Sequence, residues 1–141
     1  MPKPITPLLT VDAVIRYDAN KIILIRRKNP PFKGQYALPG GFVDIGETVE
    51  KACVREALEE TSVNVKIIKL IGVFSDPKRD PRGHIVTIAY LCEPLTESEQ
   101  PKAQDDAIAL EIVPLSNISS LKLAFDHKEI VKASGILDDL Y

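Results

Sequence analysis

Apolar and polar residues alternate over the first predicted strand, residues 11–17, so that its apolar side chains share one face. The second predicted strand, residues 21–28, instead contains four apolar residues in a row, which is typical of a central strand covered on both faces. Between them, Asp18-Ala19-Asn20 has the composition of a tight turn. The pattern therefore predicts a β-hairpin formed by these two strands.

The rest of the chain predicts two helices, further strands and the loops between them. We expect one helix at about residues 48–61 and a second from about Asp126, where Asp126 and Glu129 have the spacing of a capping box. Strands are predicted at residues 65–74, 84–91 and 110–115. Loops are predicted at residues 29–41, which include a short strand at 36–38, and at 76–83 and 94–106. Strands mixed with two helices favour an α/β sandwich with a mixed β-sheet.

The composition is that of an ordinary soluble domain. The chain has 141 residues, of which 45% are hydrophobic and 27% charged, so we expect one domain over residues 1–141. No apolar run approaches the ~20 residues that cross a bilayer, and residues 1–7 lack the apolar core of a signal peptide. Cys53 and Cys92 fit neither a disulfide framework nor a zinc pattern. These features predict a cytoplasmic protein with reduced core cysteines and no membrane partner.

The sign of the charge changes twice along the chain. Residues 1–35 contain seven cations and two acids, residues 41–60 contain six acids and two cations, and residues 66–84 contain five cations and two acids. A nucleic-acid-binding face would be basic with little interruption, so we expect no nucleic-acid partner. The alternation instead favours a site where carboxylates hold a metal ion and arginines hold phosphate groups.

Three glutamates of the predicted helix fall on one side of it. At ~100° per residue, Glu56, Glu59 and Glu60 occupy a sector of about 100°. Of these, Glu59 has a cation, Arg55, one turn before it, whereas Glu56 and Glu60 form a like-charge pair that destabilises the helix unless something neutralises it. A hard divalent cation would do so, because Mg²⁺ binds carboxylates, water and phosphate oxygens. A solvated helix face is the alternative interpretation.

The segment Pro39-Gly40-Gly41 leads the chain toward this helix. Two successive glycines allow positive φ angles and a close approach of the backbone to its neighbours. A backbone carbonyl in this segment is therefore a candidate for a further oxygen ligand of the metal ion. A simple tight turn would explain the same residues without any ligand role.

The segment from Gly41 to Val63 resembles the Nudix box, G-x5-E-x7-R-E-U-x-E-E-x-G-U, in which U is a bulky aliphatic residue. Ala57 is small for its position, and Ser62 replaces the last glycine, which in the family ends the helix in the left-handed conformation. Ser62 must end the helix at some strain or with a shifted end, a departure that affects the helix end more than the ligands. The matching positions are Gly41, Glu47, Arg55, Glu56, Glu59, Glu60 and Val63.

This resemblance implies an α/β/α sandwich that hydrolyses a nucleoside diphosphate linked to another moiety. It implies that Glu59 or Glu60 deprotonates the attacking water and that Arg55 orients Glu47 and Glu59. The implied ion is Mg²⁺, with Mn²⁺ as a substitute, and two such ions can bridge a pyrophosphate. The implied metal ligands are Gly40, through its carbonyl, Glu56, Glu59 and Glu60.

Four segments outside the box resemble a group of small prokaryotic ADP-ribose pyrophosphatases, namely residues 31–42, 75–84, 104–107 and 123–127. Gln104 departs from the glycine that this group has at its position. For each candidate, a solvated loop residue or local packing is the alternative, and His84 and His127 are expected to be structural. The candidates for substrate binding are Arg27, Arg79 and Arg82 for phosphate or ribose oxygens, Tyr36 and Phe32 for adenine, and Asp106, beside Asp105, in a loop that could close over the site.

The resemblance as a whole implies hydrolysis of ADP-ribose, a small nucleotide, to AMP and ribose 5-phosphate, and a homodimer is compatible with it. We expect the base on the helix rather than at Asp105 or Asp106, because an aspartate is short for reaching across a loop. The alternatives are sanitation of oxidised nucleoside triphosphates and a non-catalytic ADP-ribose sensor. Such sensors carry an added winged-helix domain, for which the seven residues after Ser134 leave no room.

Overall fold

The computed structural model of the chain describes residues 2–102 and 107–138, and at residues 107 and 108 only the backbone. The helices are α1 (Val49–Thr61) and α2 (His127–Ala133), with a short 3₁₀ helix at Leu115–Ser120. The strands are β1 (Leu8–Tyr17), β2 (Lys21–Arg27), β3 (Tyr36–Ala37), β4 (Gly40–Phe42), β5 (Val65–Phe74), β6 (Ile85–Pro94) and β7 (Ala107–Pro114).

The sheet is mixed, as the sequence predicts. Its main strand order is β3-β2-β1-β6-β5, with β4 paired to β1 and β7 paired to β2. The pairing of β1 with β6 is parallel and the other pairings are antiparallel. Alternate residues of β1 belong to different hydrophobic clusters: Val11 packs in the cluster that includes Ala57 of α1, and Val14 in the cluster that includes Ile130 of α2. The two helices therefore cover opposite faces, which confirms the α/β sandwich.

The predicted hairpin forms, but it is short. Only Arg16 with Ile22 and Tyr17 with Lys21 are paired across it. Beyond these two pairs, β1 pairs with β4 and β6, while β2 pairs with β3 and β7. The strands diverge from the turn onward, and residues from both line the cleft described below.

Helix α1 begins and ends close to the predicted limits. The Thr48 hydroxyl accepts a hydrogen bond from the Lys51 backbone, which caps the first turn. Ser62 adopts φ 63° and ψ 14°, the left-handed conformation that glycine provides in the Nudix box, and its N–H donates to the Leu58 carbonyl. Ser62 therefore ends the helix where the glycine would, at the cost of a conformation that disfavours a side chain.

Two local predictions are wrong. Residues 40 and 41 were expected in a loop, yet they belong to strand β4, because its pairing with β1 is a contact between distant segments that no local pattern reports. Asp126 precedes α2 but makes no side-chain hydrogen bond to the helix backbone. Its carboxylate binds the Arg79 guanidinium instead, and a charge-assisted pair of this kind is stronger than a capping bond.

Both cysteines are buried and free, with their sulfur atoms 3.8 Å apart. No helix in the part of the chain that the structure describes has the length and apolar character needed to cross a membrane.

Candidate active site

A cleft of about 370 Å³ opens between the diverging strands β1 and β2. Its walls come from six parts of the chain: these two strands, the segment 38–42, helix α1, the loop between β5 and β6, and the start of α2. The residues that line it include Asp12, Arg27, Gly40, Gly41, Phe42, Glu56, Glu60, Arg79, Asp80, Arg82, Phe125 and His127.

Two carboxylates of α1 lie against the glycine pair of the 38–42 segment. A Cβ atom added to Gly41 would lie 2.5 Å from the carboxyl carbon of Glu56, so only glycine allows this approach. The Gly40 N–H donates to Oε1 of Glu60 at 3.3 Å, and Glu60 is only 6% exposed. Burial raises the pKa of Glu56, because the charged carboxylate is poorly solvated there. The structure thus brings Gly40, Glu56 and Glu60 together in one place.

Arg55 binds the remaining acidic residues of the motif. Its Nε and Nη2 donate to the two carboxylate oxygens of Glu47 at 2.6 and 2.9 Å. Its Nη1 donates to Glu56 at 2.8 Å and to Glu59 at 3.2 Å, and Nη2 also donates to the Phe42 carbonyl. Hydrogen bonding to Arg55 lowers the pKa of Glu47 to about 2. Arg55 is therefore placed to orient Glu47 and Glu59, and it also holds Glu56.

Glu59 differs from the other two helix glutamates in its exposure. Its side chain is 44% exposed, against 14% for Glu56, and it lies at the rim of the helix face beside Arg55. The expected third ligand or base is thus more accessible to water than Glu56 and Glu60 are.

The donors at this site fit a hard divalent cation. The carboxylates of Glu56 and Glu60 are oxygen ligands of the kind that Mg²⁺ binds together with water, and the Gly40 carbonyl would be another. Within residues 2–102 and 107–138, no three acidic, histidine or cysteine side chains already converge on one point as a complete ligand set. Glu56 and Glu59 are instead hydrogen-bonded to Arg55.

The arginines of the predicted substrate loop occupy different positions. Arg79 has a 5% exposed side chain; its Nε and Nη2 donate to Asp126, and Nη1 donates to the Ile85 carbonyl. Arg82 is 40% exposed and pairs with Asp80 through Nε and Nη2. Both residues line the cleft, but the three side-chain nitrogens of Arg79 all donate within the protein, whereas Arg82 bonds to Asp80 through two nitrogens and is the more exposed of the two.

Aromatic rings flank two of the arginines that line the cleft. The guanidinium carbon of Arg82 lies 5.4 Å from the centre of the Phe125 ring and 5.7 Å from that of Phe42. The guanidinium carbon of Arg27 lies 4.9 Å from the same Phe125 ring. Phe125 therefore contacts two arginines that come from separate segments of the chain.

The two aromatic residues expected to stack on adenine do not lie together at the cleft. The hydroxyl of Tyr36 accepts from Arg26 at 2.8 Å and donates to Glu111 at 2.9 Å, and the Arg26 guanidinium covers its ring. These contacts hold Tyr36 on the far side of β2, away from the residues that line the cleft. Phe32 packs edge-on against Phe125. Asp105 and Asp106 lie outside the described residues, so their role stays a prediction.

Sequence reasoning missed Asp12 and gave His127 only a structural role. Both are buried and both line the cleft. Asp12 is a charged residue within an apolar strand, and this was the one signal that the sequence offered. Phe42 and Phe125 were also missed, because nothing in an aromatic residue near glycine or alanine marks it as part of a cleft.

Comparison with known proteins places this geometry in a family. A model of the NUDIX domain matches residues 6–133. An ADP-ribose pyrophosphatase from Methanocaldococcus jannaschii is 52% identical over 126 residues, which cover 89% of this chain and 72% of that protein. An ADPR-responsive transcriptional repressor from Acinetobacter baylyi is 36% identical over 132 residues, which cover 90% of this chain but 52% of the repressor.

A solved structure shows the same fold. The Nudix domain of Shewanella oneidensis NrtR, crystallised in complex with ADP ribose, superposes with a TM-score of 0.84 and 31% sequence identity, over 96% of this chain and 90% of that one. The family model covers nearly all of the chain, and Gly41, Glu56 and Glu60 of the motif line one cleft. This chain belongs to the Nudix hydrolase family.

Proposed function

We propose that the protein hydrolyses the pyrophosphate bond of ADP-ribose, or of a related nucleoside diphosphate sugar, and releases AMP and ribose 5-phosphate. The observation that supports this most directly is that one cleft holds both the carboxylates of Glu56 and Glu60 and the guanidinium groups of Arg27 and Arg82. Carboxylates and arginines in one cleft suit a substrate with two negatively charged phosphates. The 52% identical archaeal protein, which is an ADP-ribose pyrophosphatase, supports the same substrate.

Nudix hydrolases generally use a divalent metal ion. We propose Mg²⁺ for this protein, with Mn²⁺ as a substitute, held by Glu56, Glu60 and the Gly40 carbonyl, with Glu59 as a further ligand. Such an ion supplies positive charge that stabilises the developing charge on phosphate oxygens and lowers the pKa of water. The residues of the chain contribute the fixed geometry: Gly40 and Gly41 allow the backbone to reach the carboxylates, and Arg55 restrains the glutamates.

The proton of the attacking water needs an acceptor, and we propose Glu59 or Glu60. Glu59 is accessible to water, and Arg55 restrains its carboxylate. Glu60 is buried beside the Gly40 N–H, which fixes the direction of its carboxylate. Full turnover in Glu59→Gln together with its loss in Asp106→Asn, at unchanged metal affinity, would move the base to the other loop.

Arg82 and Arg27 are the proposed phosphate-binding residues. Each is held against the Phe125 ring, which restricts the guanidinium before substrate arrives. Restriction of this kind lowers the entropy lost on binding. Arg79 supports the wall of the cleft through Asp126 and acts on the substrate indirectly.

A sensor of ADP-ribose without turnover is the second candidate. It is favoured by the 36% identity to the ADPR-responsive repressor. The three helix glutamates argue for catalysis, because a binding module has no need for clustered, mutually repelling carboxylates. The two functions differ in one observable, the release of AMP.

The test is a panel of substrates with purified protein and Mg²⁺. We expect AMP and ribose 5-phosphate from ADP-ribose, at a higher kcat/KM than for NADH, diadenosine polyphosphates or oxidised dGTP, and no product in excess EDTA. Binding of ADP-ribose without product would support the sensor. A higher kcat/KM for oxidised dGTP would overturn the proposed substrate in favour of sanitation.

A further inference from the structure

His127 is the first residue of α2, and its buried imidazole forms part of the cleft wall. Its Nδ1 atom lies 2.9 Å from the backbone nitrogen of Leu38. A backbone N–H can only donate a hydrogen bond, so Nδ1 must accept it. The imidazole is therefore neutral, with its proton on Nε2.

The surroundings of Nε2 favour this tautomer. Nε2 lies 3.6 Å from one carboxylate oxygen of Asp12. The other oxygen of Asp12 accepts from the Thr87 hydroxyl at 2.7 Å and lies 4.0 Å from Nη2 of Arg79. Burial lowers the pKa of His127, which favours the neutral ring, although Asp12 acts in the opposite direction. Asp12 thus fixes the direction of the ring and leaves Nδ1 facing Leu38.

Two elements of the fold, β1 and α1, hold the segment that follows Leu38. Strand β4 pairs with β1 over three residues, and the Pro39 carbonyl accepts from the Ala13 backbone. From α1, the Glu60 carboxylate accepts from the Gly40 N–H, and Arg55 donates to the Phe42 carbonyl. The bond to His127 comes from α2, which packs on the opposite face of the sheet from α1.

Gly40 lies two residues after Leu38, and its N–H already faces Glu60. We propose that His127 is a positioning residue, which holds the Leu38–Gly41 backbone so that the Gly40 carbonyl meets the metal ion held by the helix glutamates. This inference rests on the metal site of the proposed function. Loss of a partner that orients a ligand typically weakens metal binding by about 10- to 100-fold.

Two substitutions separate this role from simple packing. His127→Asn can place an amide oxygen near the former Nδ1 position, where it accepts from Leu38, although it fills less space. His127→Leu fills similar space but has no acceptor. His127→Gln, whose amide reaches the former Nε2 position instead, replaces the leucine variant if the latter does not fold.

The measurements are Mn²⁺ binding to the metal-free protein by electron paramagnetic resonance and amide hydrogen exchange at Leu38. We expect His127→Leu to bind Mn²⁺ about 10- to 100-fold more weakly, with faster exchange at Leu38. His127→Asn should restore both toward the wild type. Ile23→Val changes a buried residue of the hydrophobic cluster that does not include α2. It should lower the free energy of unfolding and leave Mn²⁺ affinity unchanged.

Wild-type Mn²⁺ affinity in His127→Leu, together with fast exchange at Leu38, would overturn the proposal. An equal loss of affinity in Ile23→Val would do so as well, because general destabilisation would then explain the effect. Failure of the wild type to bind Mn²⁺ would be seen before any variant is compared and would count against the metal site itself.

Discussion

Arg79 donates hydrogen bonds from Nε and Nη2 to the carboxylate of Asp126, 47 residues further along the chain. The pair joins the loop between β5 and β6 to the start of α2. Taken locally, Arg79 was a candidate phosphate ligand and Asp126 a helix cap. In the structure, the Arg79 guanidinium donates to the Asp126 carboxylate, and this pair stabilises the wall of the cleft that Arg79 lines.

Arg79 and Arg82 should therefore respond differently to truncation. Arg79→Ala leaves Asp126 without its partner in a mostly buried position, and we expect the free energy of unfolding to fall by about 3 kcal/mol. Arg82→Ala should raise KM for ADP-ribose at least tenfold, roughly the 1.5–3 kcal/mol of a charge-assisted bond, with a smaller change in kcat. It also leaves the buried Asp80 carboxylate without its partner, so we expect the free energy of unfolding to fall here as well, and the contrast between the two variants lies in KM. Urea unfolding and steady-state kinetics measure the two effects.

Arg82→Lys is the matched control for the second variant, because it keeps a cation beside Asp80 but loses the forked donors. We expect a KM between those of the wild type and Arg82→Ala. A large rise in KM for Arg79→Ala with unchanged stability would show that Arg79 contacts the substrate after all.

Glu60→Gln should separate the chemistry from the fold. The amide oxygen can still accept from the Gly40 N–H, and removal of one charge relieves the repulsion between Glu56 and Glu60. We therefore expect turnover to fall by roughly 10²–10⁴ while the protein in EDTA melts no lower than the wild type. Differential scanning fluorimetry and AMP release measure these quantities. Wild-type turnover in excess EDTA would contradict the metal requirement.

Stability should depend on acid pH through Glu47. Its pKa falls from 4.5 to about 2 in the folded protein, because Arg55 binds the ionised carboxylate. A lowered pKa adds stability above the unfolded value, and this stability is lost as the pH falls from about 4.5 toward 2. In Glu47→Gln this contribution is absent, so its free energy of unfolding should fall less between pH 5 and pH 3. Parallel pH dependences in urea titrations would refute the assignment.

Ser62→Gly should stabilise the protein. Ser62 has φ 63°, which costs a residue with a side chain about 1 kcal/mol relative to glycine. Part of that gain is offset because glycine loses more entropy on folding and the hydroxyl bond to the Lys102 carbonyl is removed. Ser62→Ala removes the same bond but keeps the strain, so the glycine variant should be the more stable of the two in chemical denaturation. Equal stabilities would mean that the strain is negligible.

The sequence predicted α1 and the placement of its glutamates on one side because both depend on local spacing. Thr48 begins the helix, and Glu56, Glu59 and Glu60 share one side of it whatever the rest of the chain does. The mixed sheet also followed from the order of strands and helices. Ser62 was expected to depart from the family, and the structure shows that it does so by strain.

What the sequence could not predict depends on contacts between distant segments. Strand β4 exists only because β1 lies beside it. Asp12 and His127 come into contact only when α2 packs against the sheet that contains β1. Their separation in the sequence does not predict this contact. Tyr36 was interpreted as a base-stacking residue. Its hydroxyl instead forms hydrogen bonds with Arg26 and Glu111, on the side of β2 away from the cleft.

The two residue pairs that join β1 to β2 lie next to the turn at residues 18–20, where the two walls of the cleft meet. Each wall is fastened to its own neighbours, β1 to β4 and β6, and β2 to β3 and β7. The walls join at this turn, in which both Asp18 and Ala19 have positive φ, and again through the segment from β3 to β4. A substitution in the turn would therefore act on one of the two joints between the walls while every residue that lines the cleft stays the same.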